Sequence, residues 1–257
     1  MMAKQDLRTL IDAERQCDPN GSLSYHSRVS PAHRYVCMTI PKIACSTIKV
    51  ALDQFEGLPV PEHLGLVHDQ GLRLTNFSTE EIVEMLTSPD WFRFCFVRNP
   101  YYRLFSAYKS KVGNTWEQQY VWLQDEIRQR FDYPVRDGRP AGIVAFRDFV
   151  RFIRDAEEPV RRDGHWNLQT NVLMPQAIEY DFVGRFESFT RDFERVLRQL
   201  DVPAEIVATA SEVRNPTTQI HHAAAYDGEL ADCVYEMYEA DFERFGYDRD
   251  SWMFDFE

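Results

Sequence analysis

Two short stretches of this 257-residue chain gather side chains suited to holding an anion. The first is Pro41-Lys42-Ile43-Ala44-Cys45-Ser46-Thr47, which follows the apolar and β-branched run Tyr35-Val36-Cys37-Met38-Thr39-Ile40. A loop between a buried strand and a helix N-terminus aims backbone N–H groups at one point, where the helix dipole also favours negative charge. Lys42 adds a mobile cation, and Ser46 and Thr47 add hydroxyl donors. The pattern is that of a phosphate cradle but not of a Walker A loop, because Lys42 precedes Ser46 by four positions and the loop has no glycine. The second stretch, Arg98-Asn99-Pro100-Tyr101-Tyr102-Arg103-Leu104-Phe105-Ser106-Ala107-Tyr108, follows the apolar run Phe92–Val97. Arg98 stands where that strand ends, and on a helix opening near Pro100 residues Arg103 and Ser106 share a face. A guanidinium fork beside a hydroxyl suits a terminal phosphate monoester.

The elements that must position these residues are legible from periodicity and punctuation. Tyr35–Ile40 and Phe92–Val97 read as strands buried on both faces. Pro41 ends the first, and Ser46 or Thr47 is the expected cap of a helix to about Phe55. Ser78-Thr79-Glu80-Glu81 is a capping box opening a helix to about Leu86, and Asn99-Pro100 is an N-cap pair opening a helix to about Lys111. Further helices are predicted at 3–15, 116–131, 146–155, 189–200 and 229–245, with a turn at Asp137-Gly138-Arg139-Pro140 and a short strand at Tyr180–Val183. Strand–loop–helix units in series imply an α/β fold with a P-loop-like central parallel sheet flanked by helices. With no repeats and no linker-like stretch, residues 31–257 read as a single domain behind an N-terminal extension, 1–30.

Composition bounds the partners. Hydrophobic residues make up 44% of the chain and charged residues 27%, as in a folded globular protein. The net charge of −12 speaks against nucleic acid, yet it is unevenly spread. Residues 112–257 carry 16 basic and 29 acidic side chains, whereas Tyr35–Leu52 and Trp91–Lys111, which hold both anion-binding stretches, contain no carboxylate. No apolar run approaches the ~20 residues of a membrane helix. The first residues lack a signal-peptide pattern, and five cysteines without a CxxC pair read as free thiols, so a cytoplasmic protein is the expectation.

The two stretches together resemble the cofactor motifs of carbohydrate sulfotransferases, above all the group with the chondroitin/dermatan 4-O-sulfotransferases and the HNK-1 sulfotransferase. The resemblance extends through Val67-His68, His165-Trp166, Tyr180-Asp181-Phe182-Val183-Gly184-Arg185-Phe186-Glu187, Asn215-Pro216-Thr217 and Asp241-Phe242-Glu243-Arg244-Phe245-Gly246-Tyr247. It covers roughly residues 30–250. It implies the sulfotransferase fold and 3′-phosphoadenosine 5′-phosphosulfate as donor, with adenosine 3′,5′-bisphosphate as product and no metal. It also implies an acceptor hydroxyl on a glycan, glycolipid or glycosylated small molecule. Residues 41–47 would bind the 5′-phosphosulfate, and Arg98 and Ser106 the 3′-phosphate. Two departures stand out: the family's animal members carry an N-terminal membrane helix that this sequence lacks, and many place a basic cluster where Thr217-Thr218-Gln219-Ile220-His221-His222 stands.

Roles within the site follow from that resemblance together with the chemistry. Lys42 would stabilise charge building on the bridging oxygen during in-line transfer. Transfer to a hydroxyl needs a base of near-neutral pKa, for which His68, at the position resembling the family's candidate base, comes before His165. The alternative for His165 is an orienting or core histidine. Arg103 is either a phosphate ligand or a structural arginine paired with a carboxylate. Cys45, without an evident base partner, reads as a small turn-filling residue. Trp116, Tyr120 and Trp122 read as helix-core packing in preference to a sugar-stacking wall. Adjacent His221 and His222 lack the spacing of metal ligands. The competing functions are a nucleotide-dependent kinase, which needs a Mg²⁺-binding carboxylate near Ser46, and an inert nucleotide-binding relative.

Overall fold

The computed structural model describes residues 3–17, 23–113, 118–157, 160–212 and 223–254. They form two compact units interleaved along the chain, one from Met1–Arg98 and Gln169–Thr217, the other from Asn99–Leu168 and Thr218–Glu257. The first unit opens with helix α1 (Lys4–Cys17), strands β1 (Ser27–Ser30) and β2 (Tyr35–Met38), helices α2 (Cys45–Phe55) and α3 (Thr79–Thr87), and strand β3 (Phe92–Val97). The second unit then takes α4 (Pro100–Lys111), α5 (Val121–Arg130), strands β4 (Val135–Arg136) and β5 (Arg139–Pro140), and α6 (Phe146–Asp155). The chain returns to the first unit for α7 (Gln169–Leu173), β6 (Phe182–Arg185), α8 (Phe189–Gln199) and α9 (Ala204–Glu212), and α10 (Gly228–Phe245) completes the second.

In the first unit the sheet runs in the order β1-β2-β3-β6, with β2, β3 and β6 parallel and β1 antiparallel to β2. Val36, Cys37, Met38, Phe94, Cys95 and Phe96 are wholly buried, as continuous apolar runs in a covered parallel sheet require. Helix α3 packs on β2 and α8 on β6, while α9 covers α2, and α1, whose Leu7 and Ile11 are buried, covers α3. The architecture is therefore α/β with a mostly parallel central sheet flanked by helices.

Local sequence explains most boundaries. The capping box forms: Ser78 Oγ accepts the Glu81 N–H at 3.3 Å and Glu81 Oε2 accepts the Ser78 N–H at 2.7 Å. Asn99 Oδ1 accepts the Tyr101 N–H at 3.0 Å, with Pro100 as the first helical residue of α4. Strand β6 starts two residues later than the apolar pattern suggests, because Tyr180 turns its hydroxyl to Leu173 O and Asp181 is engaged by Arg93 through its backbone and carboxylate. Strand β1 has no apolar run. It is held by polar partners instead, Ser27 Oγ on Leu23 O and Arg28 Nε on Asp53 Oδ1 at 3.0 Å.

In the second unit α4, α6 and α10 enclose Tyr101, Phe105, Phe149, Val234 and Phe242. Asp137 and Gly138, both with positive φ, make the two-residue turn of the β4–β5 hairpin where only a turn was anticipated. Tyr120 is buried, but Trp122 is 48% exposed, so the core role expected of it does not hold. It sits on the outer face of α5, whose inward face is taken by Leu123, Gln124, Ile127 and Arg128. Among the described residues no helix is long and apolar enough to cross a membrane. Cys37, Cys45, Cys95 and Cys233 carry free thiols.

Candidate active site

The loop after β2 adopts a conformation unusual for its sequence. Lys42 has φ 75° and Ala44 φ 63°, two left-handed residues without a glycine between or beside them. Each such placement costs an L-residue roughly 1–2 kcal/mol, and it persists where the surroundings over-determine it. Ile43, between them, is fully buried and anchors the turn. Ala44 takes the N-cap position with no side-chain cap, so Ser46 and Thr47 do not cap α2 as anticipated but lie inside its first turn. The left-handed Ala44 delivers the chain into the helix early. The intrahelical ladder begins with the Ile48 N–H on Ala44 O at 3.1 Å, which leaves the amides of Cys45, Ser46 and Thr47 in the donor-rich first turn. Successive backbone N–H groups in such a turn form an anion-binding concavity. Pro41 is buried at its entrance, and Lys42, Ala44, Cys45 and Ser46 are half-buried.

Arg98 closes this loop from the end of β3. Its Nη1 donates to Lys42 O at 3.0 Å, and its guanidinium carbon lies 4.1 Å from the centre of the Phe186 ring. Its backbone is clamped by Gln169, whose Oε1 accepts the Arg98 N–H at 2.9 Å and whose Nε2 donates to Arg98 O at 2.8 Å. The strand-end arginine and the loop lysine, predicted separately, thus meet at one place.

His68 also comes to the loop. It sits in a 3-10 turn, Leu64–Asp69, with Nε2 3.4 Å from Ser46 Oγ and Nδ1 3.1 Å from Lys49 Nζ. The turn is fixed by Arg28, which donates to Val67 O while paired with Asp53, and by Arg73, which donates to His68 O. Gly71 is required nearby: its φ is 67°, and a Cβ there would lie 2.6 Å from Asp53 Oδ1. Lys49 is buried, donates to Tyr25 O at 2.7 Å, and is pushed down to about 8 by burial and then by the Arg28 guanidinium. Sequence reasoning assigned no role to Lys49, Tyr25, Arg28 or Gln169. The one available signal was a lysine in the carboxylate-free window, three residues after Ser46 and flanked by Ile48 and Val50.

The remaining candidates belong to the second unit. Ser106 is buried on α4. Arg103, also buried, donates to Asn167 O and Gly164 O, both at 2.7 Å, and the Asp241 and Asp163 carboxylates act on it electrostatically to favour its charged form. His165 Nδ1 lies 2.8 Å from Asp163 Oδ1 and 3.0 Å from the Tyr120 hydroxyl, which itself reaches Asp163 Oδ2 at 2.9 Å. With Nδ1–H held by a carboxylate, the lone pair of the neutral ring sits on Nε2. Trp116, Asn215, Pro216, Thr217, His221 and His222 lie outside the described residues.

The chain is 32% identical to carbohydrate sulfotransferase 14 of Homo sapiens over 235 residues, 88% of this chain and 61% of that protein. It is 29% identical to carbohydrate sulfotransferase 8 of Mus musculus, over 86% of this chain and 56% of the relative. For carbohydrate sulfotransferase 11 of Rattus norvegicus the identity is 28%, over 86% and 67%. The chain thus spans about three-fifths of the length of the first of these. No solved structure matches it. The sulfotransferase family model matches residues 25–248, which takes in every residue of the loop, Arg98 and both histidines, and the chain belongs to the sulfotransferase family.

Proposed function

We propose that this protein transfers the sulfuryl group of 3′-phosphoadenosine 5′-phosphosulfate to a hydroxyl of a carbohydrate. The observation that carries the reading is the loop: left-handed Lys42 and Ala44 before the first turn of α2, with Arg98 bonded to the Lys42 carbonyl. The donor set fits a phosphosulfate, since it consists of backbone N–H groups, one ammonium, one guanidinium and two hydroxyls in a segment without carboxylates. When bound, that cofactor supplies an activated sulfuryl group on a bridging oxygen. Residues 41–47 hold the anion, Lys42 offsets negative charge where it develops, and Arg98 fixes the loop and reads phosphate oxygen. His68, whose Nε2 lies 3.4 Å from Ser46 Oγ, takes the part of the base in this reading.

Calorimetric titration with adenosine 3′,5′-bisphosphate, run beside ATP with Mg²⁺, tests the cofactor. Selective binding of the bisphosphate is expected, whereas binding of ATP alone would bring the kinase reading forward. Transfer of labelled sulfate to a carbohydrate panel then tests the reaction. Lys42→Ala is expected to cut turnover by at least 100-fold, about 2.7 kcal/mol or more of lost charge stabilisation, with the chain still folded. Near-normal turnover removes Lys42 from the chemistry. His68→Ala and His165→Ala, assayed in parallel, show which histidine transfer depends on.

A further inference from the structure

Lys49 is a buried amine that the proposed reaction leaves without a role. Its Nζ donates to Tyr25 O, meets His68 Nδ1 at 3.1 Å, and lies 4.7 Å from the centre of the Tyr25 ring, which stacks on the His68 imidazole at 5.1 Å. An ammonium only donates, so a charged Lys49 makes Nδ1 an acceptor and places the proton of the neutral imidazole on Nε2. That nitrogen faces Ser46 Oγ. A general base needs its lone pair there, and with Lys49 charged the site is already occupied by a proton.

We propose that Lys49 and His68 act as one proton-holding pair, in which a proton taken up at His68 Nε2 is matched by passage of the Nδ1 proton to Lys49 Nζ. In the receiving form Lys49 is an amine, Nδ1–H donates to its lone pair, and Nε2 can accept. As the acceptor hydroxyl gives up its proton, that O–H bond breaks and an Nε2–H bond forms. The Nδ1–H bond breaks in turn and an N–H bond forms at Nζ. The pair gains one proton and ends as ammonium beside neutral imidazole, so no imidazolium persists next to a second cation. Lys49 acts through His68 and is a positioning residue. The identity of the acceptor rests on the sulfuryl-transfer reading above, but the tautomer coupling does not.

The surroundings favour such a device. Lys49 faces Arg28 from β1, Arg73 after the 3-10 turn, Cys37 from β2, Cys45 and Asp53 on its own helix, and Tyr25. Asp69, beside His68, pairs with Arg73 at 3.6 Å. Asp53 is taken up by Arg28, so the two guanidiniums and burial together bring the amine form within reach of neutral pH.

The test is ¹⁵N-imidazole NMR of the full chain from pH 6 to 10 in wild type, Lys49→Met and Lys49→Arg, with near-UV circular dichroism to establish folding. Wild-type His68 is expected as the Nε2–H tautomer at neutral pH, passing to Nδ1–H as pH rises through about 8. Lys49→Met should lose that step. Lys49→Arg, a permanent cation, should keep Nε2–H throughout and lower kcat more than tenfold with KM within twofold. A wild-type Nδ1–H tautomer at neutral pH, or an unchanged switch in either variant, overturns the pair; if Lys49→Met fails to fold, Lys49→Arg decides. A wild-type switch without sulfate transfer leaves the pair standing and sinks the sulfotransferase reading. Transfer without a switch does the reverse.

Discussion

In the proposed reading Arg98 serves two ends with one guanidinium, because the group assigned to the phosphate also holds Lys42 O and lies on Phe186. Arg98→Ala is accordingly expected to weaken adenosine 3′,5′-bisphosphate binding by about 1.5–3 kcal/mol, the range for a hydrogen bond to a charged group. Calorimetry checks this, and unchanged affinity would remove Arg98 from the phosphate. Arg98→Lys should not restore binding, since a point charge on a flexible stem provides neither the fork nor the stack. The locations of Lys42, Arg98 and His68, as distinct from the roles proposed for them, were legible because each stands at a strand end or between two motifs, where sequence order already fixes place. Lys49 was not. On a helix one lysine among apolar neighbours looks like a solvent-facing position, and only Tyr25, Arg28 and His68, brought in from 19 to 24 residues away, show it to be buried.

Elements announced by their own side chains were the easiest to foresee. The Ser78–Glu81 box sets the start of α3, and Ser78→Ala is expected to cost about 1 kcal/mol in urea unfolding. A loss well below that would mean the helix is positioned by its buried Ile82, Val83, Met85 and Leu86 alone. The start of α2 was misplaced because its N-cap is a backbone event. Nothing in the composition of Ala44 advertises a left-handed residue, so Ser46 and Thr47 drew the boundary toward themselves. Strand β1 was missed for a related reason, since Ser27 and Ser30 are buried with their polar groups engaged and no hydrophobic alternation marks them. Helix α9 was not foreseen either: it is short, and it is stabilised by packing on α2, which lies far away in sequence.

For the whole molecule, acid stability and chain connectivity are the testable matters. Asp163 is partly buried, which by itself would raise its pKa, but hydrogen bonds from His165 and Tyr120 hold it below the ordinary carboxylate value. A carboxylate depressed in the folded state contributes stability above its unfolded pKa of about 3.9, and that contribution is lost as pH falls through the lower folded value. Asp163→Asn should therefore be less stable than wild type at pH 7, with the gap narrowing below about pH 4. Urea unfolding at pH 7 and pH 3 reads both points, and a constant gap would contradict the linkage. Connectivity gives a second expectation. A fragment ending at residue 168 lacks β6 and leaves β3 as a bare edge, so it should be insoluble or unfold without cooperativity, as turbidity and thermal circular dichroism would show. The same arrangement sets a timetable during synthesis. Val97 closes β3, yet Phe182, which opens the neighbouring strand, is made 85 residues later; at 5–20 residues per second the half-built sheet waits about 4–17 s for its last strand. For most of that interval the loop, Lys49 and His68 already exist without the residues that hold Arg98 against the loop, since Gln169 is made 13 residues before Phe182 and Phe186 four residues after it.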